Sequence, residues 1–389
     1  MFRPRRPRCA APKIGSLFSS RQSLVVLVKL TWSPFGLQLA HRWTIASGLG
    51  PGGGGGTDVF GVMLVELRDG DGVVGMGESA PSSRYGETVD STRAFLERVD
   101  AAQLSFSDIP GSMAYLDAIA PEDFAPKGAL NIALLDGAAR RAGQPIYDWL
   151  GLGFAEDRHV TSFSIGIDRP EIIRQKVLEA ERYPILKLKV GSSDDDENLA
   201  ALRAAAPTKT VRVDANEAWK TPEEALRRLE WLAADGHIEL VEQPMPATAS
   251  VKDWRWLKER SPLPLMADES FLSAADAEFC AEGFHSVNVK LVKTGGISGA
   301  FTALQAARRL GLKTMIGCMI ESSVLITAAA HLAALTDYLD IDGNLLVTND
   351  PYAGATAERG IISFRETEET VGLRVRPRIR LDRPERAGG

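Results

Sequence analysis

A chain of 389 residues with 44% hydrophobic and 25% charged side chains has the composition of a folded protein with room for one large domain and a smaller one. Its net charge of -6 conceals an asymmetry, because eight cations and no acid precede Asp58, leaving 37 basic against 51 acidic residues in all that follows. So acidic a body excludes nucleic acid as a partner class, and no run reaches the roughly 18 apolar residues of a membrane span.

The opening, residues 1–22, is basic and acid-free and reads as a disordered N-terminal extension. Its arginines and serines also fit a targeting segment, but the apolar run "LVVLVKL" that follows is short, broken by Lys29, and trailed by no small-residue cleavage site. Cys9, Cys280 and Cys318 make neither a disulfide framework nor a CxxC pair, which points to a reducing cytoplasm.

From residue 23 the pattern predicts three strands, "LVVLVKLTW", "DVFGVMLVELRD" and "GVVGMGESAPS", joined by glycine-rich turns as an antiparallel meander. The run Gly48–Gly56 between the first two reads equally as a loose connector or a mobile lid. Helical patterns follow at about 87–102 and 110–119, then in an alanine-rich stretch from Pro126 that stops near Gly143. Residues 23–157 thus read as an α+β capping domain.

Over residues 158–343 apolar strands alternate with helices: "HVTSFSIG", "PILKLKV", "TVRVDAN", "IELVEQP", "LPLMADES", "SVNVKLV", "KTMIGCM" and "YLDID". Eight such units in succession are what closes a TIM-type barrel, and residues 344–389 are left as a tail returning to the cap.

In a barrel of this kind the C-terminal ends of the strands form the active-site mouth. The second strand brings Lys187 and Lys189 there, the third Asp214, the fourth Glu242, the fifth Asp268, the sixth Lys290, and the eighth Asp340 and Asp342. Singly, an acid at a strand end is most often a helix cap and a strand lysine is most often exposed. Together they need compensation, since an unpaired buried ion costs several kcal/mol. Three carboxylates on adjacent strands, with no histidine or cysteine among them, suit Mg²⁺ or Mn²⁺ and not zinc. Lys189 and Lys290 come from opposite sides of the ring, as removing a proton from one face of a carbon and returning it to the other requires. Lys187, on the same strand face as Lys189, is the neighbouring cation expected to help lower a catalytic lysine's pKa.

The motifs "KLKV", "VDAN", "VEQP", "ADES" and "NVKLVKTGG", in this order, resemble the muconate-cycloisomerase-like subgroup of the enolase superfamily over roughly residues 24 to 375. The resemblance implies a (β/α)₇β barrel with an α+β cap, one Mg²⁺ on Asp214, Glu242 and Asp268, and an enolate formed by removing the proton α to a carboxylate. "DIDG" at the eighth strand, with "TSFSIGID" and "GCMIESS", is similar to dipeptide epimerases. This implies that Asp340 and Asp342 hold the α-ammonium of a dipeptide, with Ser162, Ser164, Cys318 and Met319 lining its pocket. Epimerases of L-Ala-L-Glu resemble one another in carrying an arginine in the loop after the first strand. None stands between Trp43 and Phe60, so a non-acidic dipeptide is the expected substrate, although Arg42, just before this span, could still reach the pocket. N-acylamino-acid racemase, o-succinylbenzoate synthase and muconate cycloisomerase remain alternatives on the same scaffold, as does a non-catalytic metal-binding homologue. A homo-oligomer is left open.

Overall fold

A computed structural model describes residues 28–48 and 55–378 and the backbone of 385–386. The predicted N-terminal extension, the start of the first predicted strand and most of the glycine run lie outside the described residues.

The meander forms as β1 (Lys29–Trp43), β2 (Thr57–Arg68) and β3 (Val74–Ser79), antiparallel throughout. β1 runs further than the sequence pattern predicts, because β2 continues to pair with it through Gln38 and again at Trp43. On the sheet lies the helix Phe124–Arg141, and two glycines set their spacing. A Cβ at Gly75 would sit 1.9 Å from the Ala133 carbonyl oxygen, and one at Gly77 would sit 2.0 Å from that of Ala129. These glycines share one strand face, so "GMG" meeting an alanine-rich helix is a close backbone approach written into both partners.

Eight parallel strands follow: β4 (Phe163–Ile165), β5 (Ile185–Lys189), β6 (Thr210–Asp214), β7 (Ile238–Glu242), β8 (Leu265–Ala267), β9 (Ser286–Lys290), β10 (Lys313–Gly317) and β11 (Tyr338–Asp340). They are hydrogen-bonded in sequence order, and a parallel bridge between Thr161 and Leu339 joins the last to the first. A helix follows each of the first seven, as right-handed parallel crossovers demand, giving the expected (β/α)₇β barrel. The tail then makes short antiparallel pairs, and its last two-residue strand, Glu385–Arg386, returns to pair with β1.

Cap and barrel are joined by polar contacts that are buried or half-buried. Asn131 on the cap helix exchanges hydrogen bonds of 2.9 and 3.0 Å with Ser298. Glu78, at the end of β3, accepts from the Ser322 N–H at 2.9 Å, from the Ser322 hydroxyl and from the Leu325 N–H at 3.4 Å, capping the helix Ser323–Ala330 from across the domain boundary. The cap is thereby held over the barrel mouth.

Candidate active site

Register builds the mouth. Lys189 on β5 lies opposite Asp214 on β6, and Asp214 lies opposite Glu242 on β7, while Gly317 on β10 lies between Lys290 and Asp340. Parallel strands in register deliver their last residues to one level, so the strand-end charges meet.

Asp214, Glu242 and Asp268 are buried, and one carboxylate oxygen from each lies within 4.8 Å of the others. The donor set fits a hard divalent cation: it is all oxygen, and Glu242 Oε2 is buried with no hydrogen bond. That oxygen lies 2.8 Å from Lys187 Nζ. Burial and the neighbouring Asp214 push the Glu242 carboxyl up to about 7. For Asp268 burial acts in the same direction but is outweighed by Lys290, Lys293 and Lys187, which hold it well below the usual range.

The lysines sit among these acids. Lys187 Nζ is 2.7 Å from Asp340, 2.8 Å from Glu242 and 3.2 Å from Asp214. Lys189 Nζ donates to Asp214 at 2.5 Å, and Lys290 Nζ to Asp268 at 2.9 Å. Lys290 is held as the ammonium by its neighbouring carboxylate. Burial opposes its charge, but Asp268 outweighs that and keeps it well above the ordinary lysine value. Lys187 is raised in the same way by Asp340, Glu242 and Asp214 against its burial. It is a fixed cation inside a carboxylate cage.

A cavity of about 290 Å³ opens over this layer, walled by Lys187, Lys189, Asp268, Lys290, Asp340 and Asp342 below. Its upper wall comes from the cap and includes Trp43, Ile45, Phe60, Arg84 and Tyr85. Ser164, Cys318 and Met319 line it as expected from the sequence. Ser162 does not: it is fully buried, and its hydroxyl donates to Asp340 Oδ1 at 2.6 Å. Asp340 and Asp342 both reach the cavity, though not as strand neighbours. β11 ends at Asp340, and Asp342 opens the following turn, where it accepts from the Ser164 N–H at 2.6 Å. Lys187 and Ser162 hold Asp340 down to about 2 despite its burial, while burial and Asp340 push Asp342 up to about 7.

Arg42 is placed elsewhere. Its guanidinium binds Asp58 at 2.6 Å and the Gly55 and Gly56 carbonyls, beside a separate crevice. The cation at the cavity rim is Arg84, and Glu217 takes it in a bidentate pair at 2.8 and 2.9 Å. The sequence reading passed over Arg84, Tyr85, Asn288 and Lys293. For Asn288 a signal existed, an amide in the apolar run "SVNV", two residues before Lys290 and so on its face.

Fold and rim together define a class: capped (β/α)₇β-barrel proteins with a buried carboxylate triad able to hold a metal ion and lysines on facing strands. Residues 172–358 match the family described as enolase C-terminal domain-like. The chain is 61% identical to the L-Ala-D/L-amino acid epimerase of Pedosphaera parvula, over 90% of this chain and 99% of that protein. To the L-Ala-D/L-Glu epimerase of Bacteroides thetaiotaomicron it is 36% identical, over 87% and 86% of the two chains. The crystal structure of a dipeptide epimerase from Cytophaga hutchinsonii complexed with Mg and D-Ala-L-Val superposes with a TM-score of 0.80 at 30% identity, covering 90% of this chain and 95% of that one. The chain belongs to the enolase superfamily, and these relatives lie among its dipeptide epimerases.

Proposed function

We propose that this protein is a Mg²⁺-dependent dipeptide epimerase, inverting the α-carbon of the C-terminal residue by proton transfer between two lysines. The observation that carries the reading is one cavity with Lys189 and Lys290 on facing strands and the Asp340–Asp342 pair beside them. The named activities of the Pedosphaera and Bacteroides relatives, and the dipeptide and Mg bound by the Cytophaga enzyme, support the same reading.

Asp214, Glu242 and Asp268 would hold the ion, which when bound would supply positive charge against the negative charge that develops on the substrate. Asp340 and Asp342 bind the dipeptide's α-ammonium and orient the C-terminal residue between the lysines. Ser162 and the Ser164 N–H fix those two carboxylates, and Cys318 and Met319 pack beside them. One lysine, as the neutral amine, takes the α-proton; the other, as ammonium, gives its proton to the opposite face. Each turnover leaves the pair in the protonation state needed for the reverse direction. Lys187 stays charged and separates Asp340 from the metal carboxylates. A divalent ion on the triad would offset the carboxylate charge that pairs Lys189 with Asp214 and Lys290 with Asp268, and so would favour a neutral lysine.

Trp43, Ile45 and Phe60 on the cap wall, and a rim arginine already neutralised by Glu217, favour a non-acidic C-terminal side chain. Incubating the Mg²⁺-loaded protein in D₂O with pooled L,L-dipeptides, and reading mass, tests the proposal. A one-dalton gain on particular dipeptides is expected. Silence across the pool with exchange on N-acylamino acids would replace it with the racemase reading.

A further inference from the structure

In the metal triad each carboxylate has one oxygen held by a protein group outside the triad. The Asn216 N–H donates to Asp214 Oδ1 at 3.0 Å, Asn288 Nδ2 to Glu242 Oε1 at 2.8 Å, and Lys293 Nζ to Asp268 Oδ1 at 2.5 Å. The other three oxygens, Asp214 Oδ2, Glu242 Oε2 and Asp268 Oδ2, are the ones the active-site lysines approach. Two of the outer donors are side chains, and both come from one six-residue stretch that also carries Lys290, "NVKLVK".

Both side chains are buried against the ligand carboxylates. Asn288 is fully buried, and its Oδ1 has no hydrogen-bond partner, so it bears a desolvation cost for the sake of one donated bond. The barrel makes room for it: a Cβ at Gly317 on the neighbouring strand would stand 2.4 Å from that Oδ1. Lys293 has no exposed side-chain surface, and it spends its three donors on Asp268 Oδ1, the Asp268 carbonyl at 2.7 Å and the Asn288 carbonyl at 3.1 Å. It therefore ties the end of β8 to β9 and fixes the Asp268 carboxylate at once.

We infer that Asn288 and Lys293 are positioning residues of the metal site: each immobilises one oxygen of a ligand carboxylate so that the other is aimed at the ion. The inference rests on the reading of Asp214, Glu242 and Asp268 as the ligands. Groups orienting metal ligands in this way typically govern affinity by about 10- to 100-fold.

The test is calorimetric titration of the full-length protein with MgCl₂, without substrate. Asn288→Leu, which keeps the branched outline and removes the donor, and Lys293→Met are each expected to weaken Mg²⁺ binding by about 10-fold or more. Lys293→Arg, which keeps charge and donors, is expected to retain part of the affinity. Exchange activity should recover substantially at saturating Mg²⁺, which separates aim from chemistry. Should Asn288→Leu fail to fold, Gly317→Ala displaces the same amide without replacing it, and the same loss of affinity is expected. Variants that lower Tm but bind Mg²⁺ as the wild type does would reduce both residues to packing and overturn the inference. A wild-type protein that binds no Mg²⁺ would instead remove the ligand assignment beneath it, and dipeptide exchange, measured separately, tests the epimerase reading.

Discussion

Buried polar groups occupy two regions of this molecule and are treated differently in each. At the junction of cap, barrel and tail, Asp136 accepts from the Met76 N–H at 2.9 Å, the Leu373 N–H at 2.7 Å and Arg140 Nε at 2.8 Å. Nearby, His331 accepts from the Tyr147 N–H at 3.2 Å and pairs its other ring nitrogen with the Leu373 carbonyl at 3.0 Å. These bonds close largely on backbone, so each group is satisfied within the fold. At the mouth the charges face one another instead: Asn216 Oδ1, Glu269 Oε2 and Asn288 Oδ1 make no hydrogen bond, and Glu242 Oε2 meets Lys187 as an ion pair without one. Asp136 and His331 at the junction are satisfied by the fold itself, whereas the carboxylates and amides at the mouth keep oxygens open toward the cavity layer, as a site that takes up a ligand requires.

Removing a base should give the largest effect. Lys189→Ala and Lys290→Ala are each expected to lower epimerisation by about 10³-fold, within the range for general acid–base groups. Each should still exchange the α-proton of one stereoisomer, since the other face keeps its lysine. Proton NMR in D₂O on separate L,L- and L,D-dipeptides reads this directly, and a variant epimerising at the wild-type rate would end the two-base scheme.

Paired Asp→Asn changes sharpen the contrast between the regions. Asp268→Asn is expected to weaken Mg²⁺ binding by about 100-fold, with turnover falling in step. Asp136→Asn leaves Arg140 without its buried partner and is expected to cost about 3 kcal/mol of stability without moving Mg²⁺ affinity. Thermal unfolding and Mg²⁺ titration of both variants suffice. A shift in Mg²⁺ affinity for Asp136→Asn would dissolve the distinction.

The junction also predicts a pH dependence of its own. Burial lowers the His331 imidazole from its ordinary value of 6.5 to about 3, so the folded protein keeps it neutral where the unfolded chain protonates it. The unfolded state binds the extra proton between these values, so the His331 contribution is complete above about pH 6.5 and is lost as pH falls toward 3. The stability difference between wild type and His331→Gln should therefore be flat above pH 7 and shrink by up to ~1.4 kcal/mol per unit on acidification. A difference independent of pH between 7 and 5 would mean that the imidazole is not held neutral.

How much of this was legible in the sequence follows from geometry. The pair in "PILKLKV" could be read because period two is a property of any strand, and the strand-end charges because a parallel barrel collects its strand ends at one mouth. Asp342 was placed on the right wall for an incomplete reason: the strand stops at Asp340, and a turn carries the second carboxylate inward. Ser162 is also strand-adjacent, yet it points to Asp340 and not to the cavity, a distinction of depth that spacing does not encode. Lys293 escaped because it lies in the helical turn after Lys290, outside the alternation being followed. Arg84 and Tyr85 belong to the cap, and no local pattern says which cap turn will fold over a barrel mouth about 100 residues further along the chain.

That missed arginine carries the smallest predicted effect and the most specific one. Arg84 is the cation on the cavity's cap wall, and an acidic substrate side chain would need it. Glu217, itself at φ 65°, already holds its guanidinium at two points, and the same carboxylate accepts the Ala247 N–H at 2.7 Å, so the pair is fixed from the barrel side. Glu217→Gln keeps the shape and removes the neutralising charge. The ratio of kcat/KM for L-Ala-L-Glu over L-Ala-L-Leu is then expected to rise about three- to ten-fold, the modest size reflecting a half-exposed guanidinium in a high-dielectric rim. Arg84→Leu should move the ratio the other way, and the gain in Glu217→Gln should shrink with added salt. If the wild type already prefers L-Ala-L-Glu and neither variant changes the ratio, acidic side chains are met elsewhere in the cavity and the neutral rim is not what selects the substrate.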